Sequence, residues 1–134
     1  MTYPKSDPRK LKPIVKQLDS LVSKIVIARD GKCVLCGSKM ALGCGHWRKR
    51  RHYGVRWDLR NCNCLCNLCN GRDEVEVWHY TDWMLSTYGP TIDLELVRLY
   101  VRPMKAIQQH AIYRELQEVA KQFGIHAPDI PLTK

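Results

Sequence analysis

Two C-x-x-C pairs set the strongest limit on what this chain can fold into. Cys33-Val-Leu-Cys36 is followed, thirty residues after Cys36, by Cys66-Asn-Leu-Cys69. Two intervening residues let both sulfurs of a pair turn toward one tetrahedral ion. Two such knuckles complete a closed four-thiolate shell of the structural type, and zinc is the expected ion. The long separation is no obstacle, because loop closure costs only about 0.6 kcal/mol more for each doubling of length. The segment between the knuckles is rich in Cys, Gly, Arg and Asn, with short apolar pieces. It cannot bury much apolar surface by itself, so a metal is the expected staple.

Three further cysteines, Cys44, Cys62 and Cys64, leave the ligand choice open. Cys62 and Cys64 alternate with Cys66 as residues on one face of an extended segment would, and are alternative ligands. Cys66 with Cys69 is preferred because it repeats the first knuckle and lies where a helix can begin; the other three read as small buried fillers. The polar, proline-rich start MTYPKSDPRKLKP lacks the apolar middle of a signal peptide, and nothing approaches 18 consecutive apolar residues. A cytoplasmic location is therefore expected. In a reducing compartment paired cysteines are more often metal ligands than disulfides, and the odd total of seven argues against complete pairing.

The 134 residues suit one ordinary domain, or a small one with helical extensions. Residues 1–13, with Pro4, Pro8 and Pro13 among basic residues, read as an extended arm. Ile14–Arg29 reads as a helix: Leu18, Leu21, Val22 and Ile25 recur at helical spacing and Asp30-Gly31 supplies the stop. A short strand is expected near Ala41–Cys44, then a basic loop over 47–56 and a turn into Asn61. Helix returns from Asn67 to Tyr88, where Gly89-Pro90 ends it, and two more are expected over Ile92–Val101 and Pro103–Phe123. Leu94, Val97 and Val101 form one expected apolar stripe; Ile107, Ala111, Leu116 and Val119 form another. The resulting division is a basic arm (1–13), an N-terminal helix (14–31), a zinc-stabilised core (32–89), and C-terminal helices with a tail (90–134).

Charge points to a polyanion. The chain carries a net charge of +9, and between Lys32 and Arg72 nine Lys or Arg face one acid, Asp58. Arg48, Lys49, Arg50 and Arg51 follow His46 almost directly, with Arg56 and Arg60 soon after. Such cations neutralise phosphates and position a duplex without reading its sequence, so these six are the expected nucleic-acid contacts, and DNA contacts under the resemblance given below. Trp47, Tyr53 and Trp57 interleave with them and are expected to pack beneath the loop rather than stack on bases.

Gly45-His46 stands between the knuckles, Asn61 lies five residues before Cys66, and Asn70 directly follows Cys69. In this order and spacing the residues resemble the HNH, or ββα-metal, nuclease superfamily (the His-Me finger). The His-Asn-Asn version looks like phage endonuclease VII. The resemblance is closer still to the phage NinG (Rap) recombination endonucleases. It is carried by Lys24–Asp30, Cys33–Gly37, Gly45–Arg50, Arg56–Asn61, Cys66–Asn70 and Trp83–Gly89, and spans roughly residues 14–120. It implies an α+β fold: a small zinc-stabilised ββα-metal core with mainly helical N- and C-terminal extensions.

The resemblance further implies a metal-dependent DNA endonuclease, selective for branched DNA such as Holliday junctions or D-loops in phage recombination. His46 would be the general base that activates water. A catalytic Mg²⁺ or Mn²⁺ would neutralise the scissile phosphate, with Asn70 as one oxygen ligand. Asn61 would orient His46 or brace the loop. Many HNH nucleases carry an Asp directly before the His; here, as in NinG-like proteins, that place is Gly45. Asp58, Asp73, Glu74, Glu76 and His52 are candidate substitutes, and Glu76 stands where NinG-like proteins often carry Asn. Cutting paired strands of a junction needs two active sites, so a homodimer through the helices after residue 90 is implied. Two other readings remain: a general or nicking HNH nuclease, and a zinc-stabilised DNA-binding module without catalysis.

Overall fold

The structure, a computed structural model, describes residues 11–72 and 77–131. It is a small mixed α+β fold. Helix α1 spans Val15–Asp30, strand β1 Leu42–His46 and strand β2 Cys62–Cys66; four helices follow, α2 (Asn67–Arg72), α3 (Val77–Tyr88), α4 (Ile92–Val97) and α5 (Ala106–Gln122). A short 3₁₀ turn over Tyr53–Val55 sits in the loop between the strands.

Helix α1 forms where its apolar period demands. Leu18, Leu21, Val22, Ile25 and Val26 are buried along one face. Gly31 ends it in the left-handed conformation, φ 70°, and its N–H returns to the Ile27 carbonyl at 2.8 Å. The helix start has no side-chain cap. Its orphan Ile14 N–H is satisfied by Gln109 Oε1 of α5 at 2.8 Å, and His110 Nε2 donates to the Lys12 carbonyl at 2.9 Å. Residues 12–14 are thus tied to α5. The rest of the expected basic arm, residues 1–10, lies outside the described residues.

The two strands pair antiparallel, with His46 opposite Cys62, Cys44 opposite Cys64 and Leu42 opposite Cys66. All five residues of β2 are buried, because the hairpin is covered on both faces. Cys44, Cys62 and Cys64 pack with α1 and α5 residues in one apolar cluster. Leu65 belongs to a second, with Trp47, Tyr80, Met84, Ile92 and Leu96. Period-2 alternation sends Cys62 and Cys64 to the first cluster and Leu65 to the second. The N- and C-terminal helices therefore complete the core around the sheet instead of extending from it.

The later helices correct four expectations. The helix expected over Ile92–Val101 stops at Val97, and Leu99–Arg102 continue as turns. Its buried face is Ile92 and Leu96, while Leu94, Val97 and Val101 are exposed. In α5 the buried positions are Gln109, His110, Tyr113, Leu116 and Ala120, and Ile107 and Ala111 of the expected stripe are exposed. That helix starts at Ala106, not Pro103. One long-range packing accounts for the early stop of α4. The chain at Leu99–Arg102 turns across the loop of the hairpin: His52 stacks on Tyr100 with ring centroids 4.0 Å apart, and Arg102 donates to the Gly54 carbonyl at 2.7 Å.

That packing requires glycine at position 54, where a Cβ would lie 1.8 Å from the Leu99 carbonyl oxygen. Gly54→Ala is expected to cost about 3 kcal/mol or more. Gly43→Ala, at a strand position with nothing within 4 Å of the added carbon, should cost little. Thermal melts of the two variants check the contrast.

Candidate metal centre and basic hairpin loop

The two knuckles meet. One sulfur from each of Cys33, Cys36, Cys66 and Cys69 lies within 4.8 Å of the others. Cys36 Sγ and Cys66 Sγ are 3.6 Å apart, close to the roughly 3.8 Å edge of a tetrahedron with zinc–sulfur bonds of about 2.3 Å. Cys33, Cys66 and Cys69 are buried and Cys36 is exposed. Backbone amides already point at the sulfurs. Burial opposes ionisation of Cys33, but amides of Cys66, Cys36 and Leu35 outweigh it and bring the thiol down to about 7. Cys69 moves the other way, raised by burial and by the neighbouring thiols. Four converging thiols with amide donors form a donor set that can hold a structural metal such as zinc.

At the far end of the hairpin, Asn61 is fully buried and braces the loop. Its Oδ1 accepts the Arg48 N–H at 2.7 Å, and its Nδ2 donates to the Arg48 carbonyl at 3.0 Å and the Val55 carbonyl at 3.1 Å. The Asn61 carbonyl accepts the Trp47 N–H at 3.0 Å. His46, the last residue of β1, is half-buried, and its Nε2 is 2.8 Å from the Arg56 carbonyl. A carbonyl only accepts, so Nε2 carries the proton and Nδ1 keeps its lone pair. Burial lowers the His46 pKa, aided by Arg50, against the opposing bond to Arg56. The balance favours the neutral ring. Asn70 stands exposed on α2, immediately after Cys69.

The six expected DNA contacts divide into two groups. Lys49, Arg50 and Arg51 are exposed and form no ion pair with a described residue. Arg48, Arg56 and Arg60 have carboxylate partners. Arg48 lies 4.1 Å over the Trp47 ring and bonds Asp93 at 2.8 Å. Arg60 is held by Asp58 and by Glu95, each at 3.1 Å. Arg56, 7 % exposed, makes a two-pronged bond to Asp19 of α1, at 3.0 and 2.6 Å. Its charge is spent inside the fold. Trp57 shares that carboxylate through Nε1 at 2.8 Å, and Trp47 donates to Thr81 at 3.1 Å; both rings are buried beneath the loop as expected, while Tyr53 stays 38 % exposed at its edge.

Among the substitutes for a missing carboxylate, Asp58 is occupied by Arg60 and His52 by its stack on Tyr100. Asp73, Glu74 and Glu76 lie outside the described residues. The place of the expected Asp has a steric reason: a Cβ on Gly45 would lie 2.3 Å from Leu65 Cδ1 and 2.6 Å from Cγ, and Leu65 is only 1 % exposed. Gly45 therefore cannot become a carboxylate without repacking the core.

Several site-shaping residues have no local signal in the sequence. Asp19 looks like a solvent-facing helix residue. Burial pushes its carboxyl up, but bonds from Arg56 and Trp57 outweigh it and hold the pKa below the ordinary value. Arg29, at the end of α1, donates to the Leu59 carbonyl at 2.8 Å and to the Cys62 carbonyl and Asn63 Oδ1 at 2.9 Å each. Asp30 Oδ2 accepts the Cys64 N–H at 2.9 Å, and Tyr80 of α3 donates to the Gly45 carbonyl at 2.7 Å. Only the aligned fold brings these partners together. Comparison with protein-family models, curated proteins and solved structures finds no match.

Two measurements check this site. With zinc bound at the four cysteines, a strong chelator or Cys66→Ser is expected to cost up to on the order of 10 kcal/mol, seen as a lower melting temperature and faster amide exchange in β2 and α2. Asn61→Ala leaves three backbone groups without their partner and should cost about 2–3 kcal/mol in denaturant melts.

Proposed function

We propose that this chain is a metal-dependent DNA endonuclease of the HNH type, selective for branched DNA. The observation that carries the reading is the arrangement of one hairpin: a four-cysteine cluster at one end, and at the other the Asn61-braced loop with His46 beside Lys49, Arg50 and Arg51, which form no ion pair with a described residue. In this reading His46 Nδ1 takes the proton of the attacking water. Nε2 stays bonded to the Arg56 carbonyl, which holds the ring in the tautomer a base requires. Lys49, Arg50 and Arg51 receive the phosphate backbone. Asn61 positions the loop and touches no reacting atom. A divalent ion at Asn70, with Glu76 as its expected carboxylate, supplies charge neutralisation at the scissile phosphate when bound. Among the described residues no carboxylate joins a converging group of three or more ligands, so a hard cation there depends on oxygen ligands beyond them. A homodimer would present two such sites to a junction, and exposed Leu94, Val97 and Val101 offer the C-terminal segment an apolar surface for it.

One observation favours a second reading. Gly45 pressed against Leu65 has no room for a metal-binding carboxylate, as suits a zinc-stabilised DNA-binding module without catalysis.

The deciding experiment incubates the protein with a labelled four-way junction and a matched linear duplex, in Mg²⁺, Mn²⁺ and EDTA. His46→Ala is expected to abolish metal-dependent cutting, a loss of about 10²-fold or more, while leaving junction binding intact. Equal cutting of both substrates would indicate a general nuclease. Tight binding with no cutting in any metal would overturn catalysis in favour of the binding module.

A further inference from the structure

The four-cysteine cluster is not the only place where soft ligands converge. Cys44 and His46 are two residues apart on one face of β1, and Cys62 lies directly across from His46 on β2. Cys44 Sγ, a ring nitrogen of His46 and Cys62 Sγ all lie within 4.8 Å of one another. Cys62 is buried, and Cys44 and His46 are half-buried. The inner pair is already oriented: His46 Nε2 and Cys62 Sγ both reach the Arg56 carbonyl, at 2.8 and 3.2 Å. That carbonyl belongs to the loop that Asn61 locks in place, which fixes the position of the imidazole before any ion arrives.

We propose that Cys44, His46 and Cys62 form a second metal site, selective for a thiophilic divalent ion of the zinc class. Two sulfurs and an imidazole suit such an ion and reject Mg²⁺ and Ca²⁺, which require oxygen. Each thiol releases its proton to solvent as its metal–sulfur bond forms. Two thiolates, a neutral imidazole and a dication sum to zero charge, which a half-buried pocket tolerates better than the separated ions. Three protein ligands leave a fourth position for water, unlike the closed four-cysteine shell. Packing alone explains Cys64, which is fully buried opposite Cys44 and lies outside the converging set. It does not explain an imidazole beside two thiols. The site needs only the folded hairpin and stands whether or not the chain is a nuclease.

The test is metal stoichiometry. Full-length protein kept reduced is equilibrated with Zn²⁺ or Co²⁺, dialysed, and analysed for bound metal, with the sulfur-to-cobalt absorption recorded in parallel. Wild type is expected to hold two ions per chain. Cys44→Ser and His46→Gln should each hold one, with unchanged far-UV circular dichroism, and Cys36→Ser should lose the other. One ion in the wild type, or two retained in both Cys44→Ser and His46→Gln, would overturn the proposal. Should the variants not fold, zinc X-ray absorption of the wild type decides. An imidazole nitrogen beside the sulfur shell is expected, and a sulfur-only shell overturns the site.

Discussion

Four sulfurs from two distant knuckles converge on one point, and the geometry of everything around the hairpin depends on that convergence. Cys33 and Cys36 belong to the loop after α1, while Cys66 ends β2 and Cys69 lies in α2. An ion at that point would join the first loop, the hairpin and the following helix without apolar area, of which the intervening segment has little. It would also anchor only one end. The other end is closed by Asn61, whose side chain takes three backbone partners from the loop. Between these anchors the strand register is unambiguous, because a slip by one residue would exchange the Leu65 and Cys64 faces between two separate clusters.

Charge in this region does two kinds of work. Arg29 and Arg56 are structural: their planar guanidinium groups satisfy several buried acceptors at once, which a lysine could not do with one ammonium. Both draw acids of α1, Asp30 and Asp19, into the same contacts. The basic surface is consequently smaller than the count of cations suggests, and is concentrated at Lys49–Arg51 on the tip of the loop. His46 sits between the two regimes. As a base it must keep Nδ1 free; as a ligand beside Cys44 and Cys62 it would commit a ring nitrogen to a metal. The two roles exclude one another in time, and a thiophilic ion there would withdraw the imidazole from proton transfer.

Local features of the chain were legible. The α1 period, the Gly31 stop and the spacing within each knuckle follow from neighbours within a few residues. The C-terminal helices were less so. Leu94, Val97 and Val101 have a helical period, yet they are exposed while Ile92 and Leu96 are buried. A six-residue helix presents one short face, and the turn at Leu99–Arg102 chooses which. Pro103 is compatible with a helix start, but Gln109 and His110 hold residues 12–14 and Met104 from further along, and α5 begins at Ala106.

By itself the sequence determined the four sulfurs that converge, the helix that precedes them and the basic character of the loop. These rest on spacing and composition, which are local. Only the tertiary structure decided which cations are held by acids, since Asp19 is 37 residues from Arg56 and Asp93 is 45 from Arg48. It likewise decided that Gly45 is backed by Leu65, and that Cys44 and Cys62 meet at His46. Each of these depends on cross-strand register and helix packing, which long-range burial selects and no short window of residues encodes.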